Sequence, residues 1–527
     1  MKIATRRWWI AVPVLAGLTA PARADVKPNP LFSEGAVLQR GMPVPVWGTA
    51  DPGESVTVKV QDQSATATAD KDGKWMVKLA ELKVGGPYTL TIAGKNTVEV
   101  PDVLVGDVWI CSGQSNMEWP LNRAAEFKEA AAKSADGKYR LFTVQKAISM
   151  TPLDTVAVDP KGQKGVWLAS GPDTVPTFSA VGYFFGRDLR KALDVPIGMI
   201  HTSWGGTPAE AWTSRDQYGA EPDLKSILDD HDAYVAKFSE ADYKAAVEKH
   251  KEAAAAAKEA KKPIPPAPVG LNNPHRPTAL YNAMIAPLEP YAIKGAIWYQ
   301  GESNAGRAFQ YRTLMPAMIK SWRNAWKQGD FPFFMVQLAP FKKIVTEPGD
   351  SDWAELREAQ LLTAQTLPKT GMAVITDVGE EDDIHPTKKE PVGARLALAA
   401  RMIAYGEPIV GSGPVYDGMT VEGDRAILRF KHVGGGLVAK GGPLTGFAIA
   451  GEDRKFVNAE AEIKGDTVVV HSDKVSHPVA VRYGWANFPV VNLWNKEGLP
   501  ATPFRTDDFP ITTAPKAKLP AAAAASR

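Results

Sequence analysis

The chain has 527 residues, 44% of them hydrophobic and 23% charged, with 61 Lys and Arg against 59 Asp and Glu. There is ample apolar surface to offset chain entropy, which excludes global disorder, and a mean hydropathy of -0.20 excludes a multi-span membrane protein. The near balance of charge leaves no electrostatic footprint for nucleic acid, and the length implies about three domains.

Residues 1–24 read as a secretory signal peptide. Lys2, Arg6 and Arg7 precede the apolar run Trp8 to Thr19, and Ala22-Arg23-Ala24 offers the small residues of a cleavage site. The run is short for a membrane span, although an uncleaved anchor is the competing reading. Removing the segment leaves 57 basic against 59 acidic residues. The expectation is an exported protein, periplasmic or secreted, with no membrane association after cleavage. Cys111 is the one cysteine, so an internal disulfide and a cysteine-based metal site are excluded. Within Val108 to Cys111 it reads as a small buried apolar residue.

From 25 to 100, short alternating segments such as Ser55 to Val60 and Thr89 to Ile92 are separated by Asp51-Pro52-Gly53 and Lys71-Asp72-Gly73. This is the pattern of a small antiparallel sandwich. Residues 101–408 have another rhythm. Apolar runs at Val108 to Cys111, Ile197 to Thr202, Ala296 to Tyr299, Phe333 to Leu338 and Ala373 to Thr376 predict strands buried on both faces of a parallel sheet. After Pro391, the spacing of Val392, Leu396, Ala399 and Ile403 predicts an amphipathic helix. An insertion over about 215–275 contains an Ala-, Glu- and Lys-rich helix, Tyr243 to Lys262, stopped by Pro263-Ile264-Pro265-Pro266. Residues 409–512 read again as a β domain, with strands at Arg425 to Phe430 and Thr467 to His471, and 513–527 as a disordered tail.

In an open α/β sheet, ligands bind beyond the carboxyl ends of the strands. Following the apolar runs come Ser112-Gly113-Gln114-Ser115-Asn116, Ser203-Trp204-Gly205-Gly206, Gln300-Gly301-Glu302-Ser303-Asn304, and Asp382-Asp383-Ile384-His385. A serine, a glycine pair, an asparagine and an Asp–His pair thus meet at one edge, the parts needed for acyl transfer. Of eight histidines, His385 alone lies beside carboxylates in a polar loop after a predicted sheet strand.

The blocks GQSNMEW, SWGGTPAEAW, WYQGESN and DIHPTKK, in this order, resemble those of the sialate O-acetylesterase family within the SGNH hydrolase superfamily. The resemblance covers roughly 100 to 405 strongly and the flanking β domains more loosely. It implies a flavodoxin-like three-layer fold for the α/β domain, whose parallel sheet and flanking N- and C-terminal β-sandwich-type domains are read from the residue patterns above. It also implies serine-dependent deacetylation of sugars. Ser115 would be the nucleophile, as against a helix-capping serine, and His385 the base. The superfamily spacing D-x-x-H selects Asp382 as the triad acid and the block D-I-H-P selects Asp383; the first is preferred. The oxyanion hole would comprise the backbone N–H of Ser115, that of Gly205 or, preferably, Gly206, and the side-chain amide of Asn304.

Gln114, Trp204 and Glu302 are candidate substrate contacts, with a general acid and, ahead of it, loop support as the competing roles for Glu302. Trp119, Trp204, Trp212 and Trp298 are either sugar-stacking walls or core. No metal-binding or phosphate-loop motif occurs, so no metal and no cofactor are expected. The expected partner is an acetylated oligosaccharide or polysaccharide. The competing functions are a non-catalytic carbohydrate-binding protein and a lipase or peptidase.

Overall fold

The computed structural model describes residues 25–159, 161 and 164–515. The expected signal peptide and residues 516–527 of the expected tail lie outside them.

Period-two alternation builds the N-terminal region. In Ser55–Val60 the side chains of Val56, Val58 and Val60 point inward, and in Lys74–Leu79 those of Trp75, Val77 and Leu79 do. The second strand lies in a three-stranded sheet with Lys27–Pro28 and Val44–Thr49. The first pairs with Gln63–Thr68 and with Gly85–Ala93. Apolar faces of the two sheets share one core.

The strand Thr97–Gly113 runs through both regions. Its first part pairs antiparallel with Gly85–Ala93, and its last part enters the central sheet between Ile197–Ser203 and Gly295–Tyr299. The boundary expected at residue 100 therefore falls inside a strand, which continues past Pro101 and Asp102 (φ +56°) into the central sheet.

The central sheet has the order Trp167–Ser170, Asp136–Thr143, Ile197–Ser203, Thr97–Gly113, Gly295–Tyr299, Phe333–Val336, Thr370–Ala373. Trp167–Ser170 is antiparallel to its neighbour and the other pairings along this path are parallel. The middle strands are buried along their whole length, as their continuous apolar runs require. Helices Ala180–Leu193 and Glu390–Ile403 cover one face, over Ile197, Ile297 and Phe334. Helices Ala308–Trp326 and Asp352–Thr366 cover the other, over Ala296, Trp298 and Met335. Val392, Leu396 and Ala399 of the stripe are buried, as the spacing predicts. Asp136–Thr143 and Trp167–Ser170 were not anticipated, since Lys138 and Arg140 break the apolar run; Arg140 is paired with Asp102.

The insertion helix forms over Glu240–Glu259, capped by Ser239, whose hydroxyl accepts from Asp242 N–H at 3.2 Å. It buries no residue. The C-terminal region holds two four-stranded sheets and a two-stranded one around Leu428, Ile449, Val470, Tyr483 and Phe504. Buried Arg357 fastens it to the central region, donating to the carbonyls of Leu338 and Ala339 on one side and Ala486 and Asn487 on the other. The expected tail is not wholly loose at its start: Thr513 Oγ1 donates to Glu355 Oε2 at 2.5 Å. Among the described residues no helix is long and apolar enough to cross a membrane.

Candidate active site

Register brings the glycine, serine and asparagine segments together. Gly113 ends its strand between Ser203 and Tyr299, so the segments after three adjacent strands emerge side by side. Gly113 has φ +136°, and a Cβ there would lie 2.2 Å from the Tyr299 carbonyl oxygen. No other residue fits. The chain then turns sharply: Gln114 N–H donates to Tyr299 O at 3.0 Å, and Ser115 opens the one-turn helix Ser115–Glu118. Ser115 is left half-buried at the sheet edge.

His385 approaches from the loop after the last sheet strand. Its Nε2 lies 2.8 Å from Ser115 Oγ. Asp383 Oδ1 accepts from the His385 backbone N–H at 2.8 Å and lies 3.5 Å from Nδ1. Asp382, the preferred acid, points elsewhere: its carboxylate pairs with Lys343 at 2.7 Å and is largely solvent-exposed. The preference for Asp382 is therefore corrected in favour of Asp383 as the carboxylate facing the imidazole. Asp383 is held toward the ring by the His385 N–H it accepts, while Asp382 turns to the exposed Lys343, nearly 40 residues away in sequence, which spacing could not reveal. Trp119 stacks on the imidazole, with centroids 5.4 Å apart and 21° between planes.

Burial lowers the pKa of His385, with Lys389 and Arg123 adding to the effect and Asp383 opposing it. The neutral ring is thereby favoured at neutral pH. A neutral imidazole with its proton on Nδ1, facing Asp383, can accept the Ser115 proton on Nε2.

Among the described residues, the N–H groups of Ser115 and Gly206 donate to no protein acceptor. Gly205 N–H, in contrast, donates to Glu118 Oε2 at 2.6 Å. Gly205 packs closely on Ser115: a Cβ there would lie 3.3 Å from Ser115 Cβ. Asn304 is buried. Its Oδ1 accepts from Gln300 Nε2 at 2.6 Å and Ala209 N–H at 3.0 Å, and its Nδ2 donates to Glu210 Oε2 at 2.9 Å. One amide hydrogen is left for another acceptor.

The expected substrate contacts divide. Gln114 is 3% exposed, and its Oε1 accepts from Gly301 and Ser303 N–H at 3.4 and 3.3 Å, so its oxygen ties loops together rather than facing out. Glu302 also turns inward, accepting from Asn116 Nδ2 at 2.7 Å, and burial raises its pKa. Trp204 is half-buried, with Lys146 Nζ 5.1 Å from its ring centroid. Trp212 and Trp298 are fully buried against each other and belong to the core. So does Cys111, whose thiol pKa burial pushes upward. Among the described residues no group of three His, Cys, Asp or Glu side chains is placed to hold a metal.

Sequence reasoning missed Asn116, Glu118, Glu210 and Lys389. All four lie inside the quoted blocks, but each acts by pairing with another loop, which a linear motif does not show.

Residues 269–404 match the family model described as carbohydrate esterase, sialic acid-specific acetylesterase. Over 405 residues the chain is 33% identical to a sialate O-acetylesterase of Mus musculus, covering 69% of this chain and 70% of the relative. It is 31% identical to the Homo sapiens enzyme of the same name over 421 residues, covering 73% and 72%. A crystal structure of a carbohydrate acetylesterase from Xanthomonas citri superposes with a TM-score of 0.78 at 41% identity, covering 92% of this chain and all of that one. Sequence blocks, site and relatives together define a carbohydrate O-acetylesterase. The chain belongs to the sialate O-acetylesterase family.

Proposed function

We propose that the chain is an exported serine esterase that cleaves O-acetyl groups from carbohydrate through an acetyl-enzyme on Ser115. The observation that carries this reading is the 2.8 Å separation of Ser115 Oγ and His385 Nε2 at the carboxyl edge of the sheet. His385 takes the Ser115 proton as Oγ attacks the acetyl carbonyl carbon. It then returns that proton to the departing sugar oxygen. Water, deprotonated by the same imidazole, attacks the acetyl-enzyme, releasing acetate and restoring the Ser115 hydroxyl. Asp383 holds the Nδ1 proton and balances the transient imidazolium. Negative charge on the carbonyl oxygen is met by the N–H groups of Ser115 and Gly206 and by the remaining Asn304 amide hydrogen.

The strand order supports a flavodoxin-like SGNH core. Counting from Thr97–Gly113 and leaving out Asp136–Thr143 and Trp167–Ser170, the sheet reads 2-1-3-4-5. Export rests on the basic, apolar and small-residue pattern of residues 1–24. The substrate class is acetylated sialic acid or a plant-wall polysaccharide such as xylan or xyloglucan. Acetate release from acetylated sialoglycan, xylan and xyloglucan, measured side by side, tests the substrate. The same assay on Ser115→Ala tests the mechanism: retained turnover would overturn it.

A further inference from the structure

Lys389 is a buried cation in an unfavourable place. It has no exposed surface and sits at the N-cap of helix Glu390–Ile403, the end where the helix dipole disfavours positive charge. Burial pulls its pKa down to about 7, while Glu302, Asp383, Glu126 and Glu380 oppose that shift. Its Nζ donates to Asn116 Oδ1 at 2.5 Å. Asn116 Nδ2 donates in turn to Glu302 Oε1 at 2.7 Å and to the carbonyl of Ile384 at 3.0 Å. An ammonium only donates, and a carboxylate and a carbonyl only accept, so the Asn116 amide has a single permitted orientation.

Each end of this chain of contacts touches the site. Asn116 follows Ser115, Ile384 precedes His385, and Glu302 lies in the loop that carries Asn304. Lys389 Nζ also stands 5.6 Å from the centroid of Trp119, the ring that stacks on His385. Well-packed apolar residues of similar volume are often as stable as a buried ion pair, so stability alone is a weak reason for the arrangement. A cation, an amide and a carboxylate in series give what apolar packing lacks, one fixed geometry.

We propose that Lys389 and Glu302, joined through Asn116, are positioning residues that fix the Ser115–His385 separation for acetyl transfer. This rests on the catalytic reading of Ser115 and His385 given above. The charged groups facing His385 are Asp383 on its own loop, Arg123 from the segment after the nucleophile, and Lys389 at the start of the following helix. On the acid side of neutrality Lys389 is charged and disfavours imidazolium. Removing its ammonium therefore moves the acid limb of the kcat/KM profile to higher pH, a shift that reports its charge beside His385, while the loss of kcat at the plateau reports its positioning role.

The test uses the full chain with Lys389→Met, Lys389→Gln and Glu302→Gln, measuring kcat, KM, the acid limb and Tm for each. Lys389→Met lowers kcat about 10²-fold, the scale of a small misplacement of reacting groups, with KM near the parent value and the limb raised. Lys389→Gln keeps a donor toward Asn116 and so regains part of kcat, while its limb stays raised. Glu302→Gln lowers kcat as well, and its combination with Lys389→Met costs less than the two single losses together. Parent-like kcat and limb in either Lys389 variant, with only Tm reduced, overturns the proposal. Should Lys389→Met fail to fold, Lys389→Gln and Glu302→Gln carry the test, and parent kcat in both overturns it. Ser115→Ala separates the two levels. An active Ser115→Ala variant removes the catalytic reading itself, whereas an inactive one beside parent-like Lys389 variants removes the positioning role alone.

Discussion

At the carboxyl ends of adjacent strands the molecule holds two serine–histidine contacts. Ser115 Oγ and His385 Nε2 are 2.8 Å apart, and Ser203 Oγ and His201 Nε2 are 2.5 Å apart. Distance does not tell them apart. Their surroundings do. Ser203 and His201 are 4% and 5% exposed, and His201 Nδ1 is buried without a hydrogen-bond partner among the described residues. His385 is part-exposed, has Asp383 across from Nδ1, and lies against a serine whose own N–H donates to no protein acceptor among the described residues. A hydroxyl beside an imidazole is reactive only where a substrate can reach it, a carboxylate can stabilise the imidazolium, and donors await the oxyanion.

The largest expected effect breaks the comparison at its centre. Ser115→Ala should lower kcat by about 10⁴–10⁶-fold, as loss of an acyl-enzyme nucleophile does. Ser203→Ala should leave kcat near the parent value and cost about 1 kcal/mol of stability for the buried hydrogen bond. Steady-state kinetics and thermal melts on both variants check this, and a Ser203→Ala variant as inactive as Ser115→Ala would erase the distinction.

Next in size is Asn304, whose surroundings sharpen what separates an oxyanion donor from a loop pin. Asn304→Ala should lower kcat about 10²–10³-fold with little change in KM, because an oxyanion contact strengthens mainly in the transition state. It should also lower Tm, since the amide holds Gln300, the Ala209 N–H and Glu210. A folded variant with parent kcat and reduced Tm would make Asn304 a pin only.

The two aspartates come third. Asp383→Asn should lower kcat about 10–10²-fold, less than a fully buried triad acid would, because the carboxylate is half-exposed and 3.5 Å from Nδ1. Asp382→Asn removes only the exposed pair with Lys343 and should change kcat by no more than about twofold. The reverse ranking would restore Asp382.

How much of this could be read from the chain depended on the range of the interaction. Runs such as Ile197 to Thr202 announced strands covered on both faces, because continuous burial writes itself as continuous apolar sequence. Asp136–Thr143 did not, since its Arg140 finds a partner in Asp102, remote in sequence. The pairing of Ser115 with His385 was only partly legible: Ser115 follows its strand end by two residues, whereas His385 stands twelve residues beyond Thr370–Ala373 and was marked by its polar block. The choice between Asp382 and Asp383 was not, as the two are adjacent and what separates them is a backbone hydrogen bond from His385 to Asp383. Nor was Lys389, a second lysine in a solvent-like run whose buried partners come from two other loops.

The smallest effect separates the two histidines by which observable each controls. Burial lowers the pKa of both, that of His201 to about 4. For His385 the proposed mechanism makes the consequence kinetic: it needs the neutral ring, so kcat/KM should fall on acidification, with its midpoint below the ordinary histidine value. For His201 the consequence is stability. Its unfolded-state pKa is near 6.5 and its folded value is depressed, so the unfolded chain binds the proton more readily. The contribution is fully present above about pH 6.5, is lost as the pH falls toward 4, and stops changing below that. A shift of this size is worth at most about 3 kcal/mol. His201→Asn, a neutral replacement, should therefore lose less Tm between pH 7 and pH 4 than the parent does, while its kcat/KM acid limb stays in place. An acid limb that moved with His201→Asn would mean that the buried pair communicates with the catalytic one through Glu118, which lies between Lys146 and Gly205 and bears electrostatically on His201.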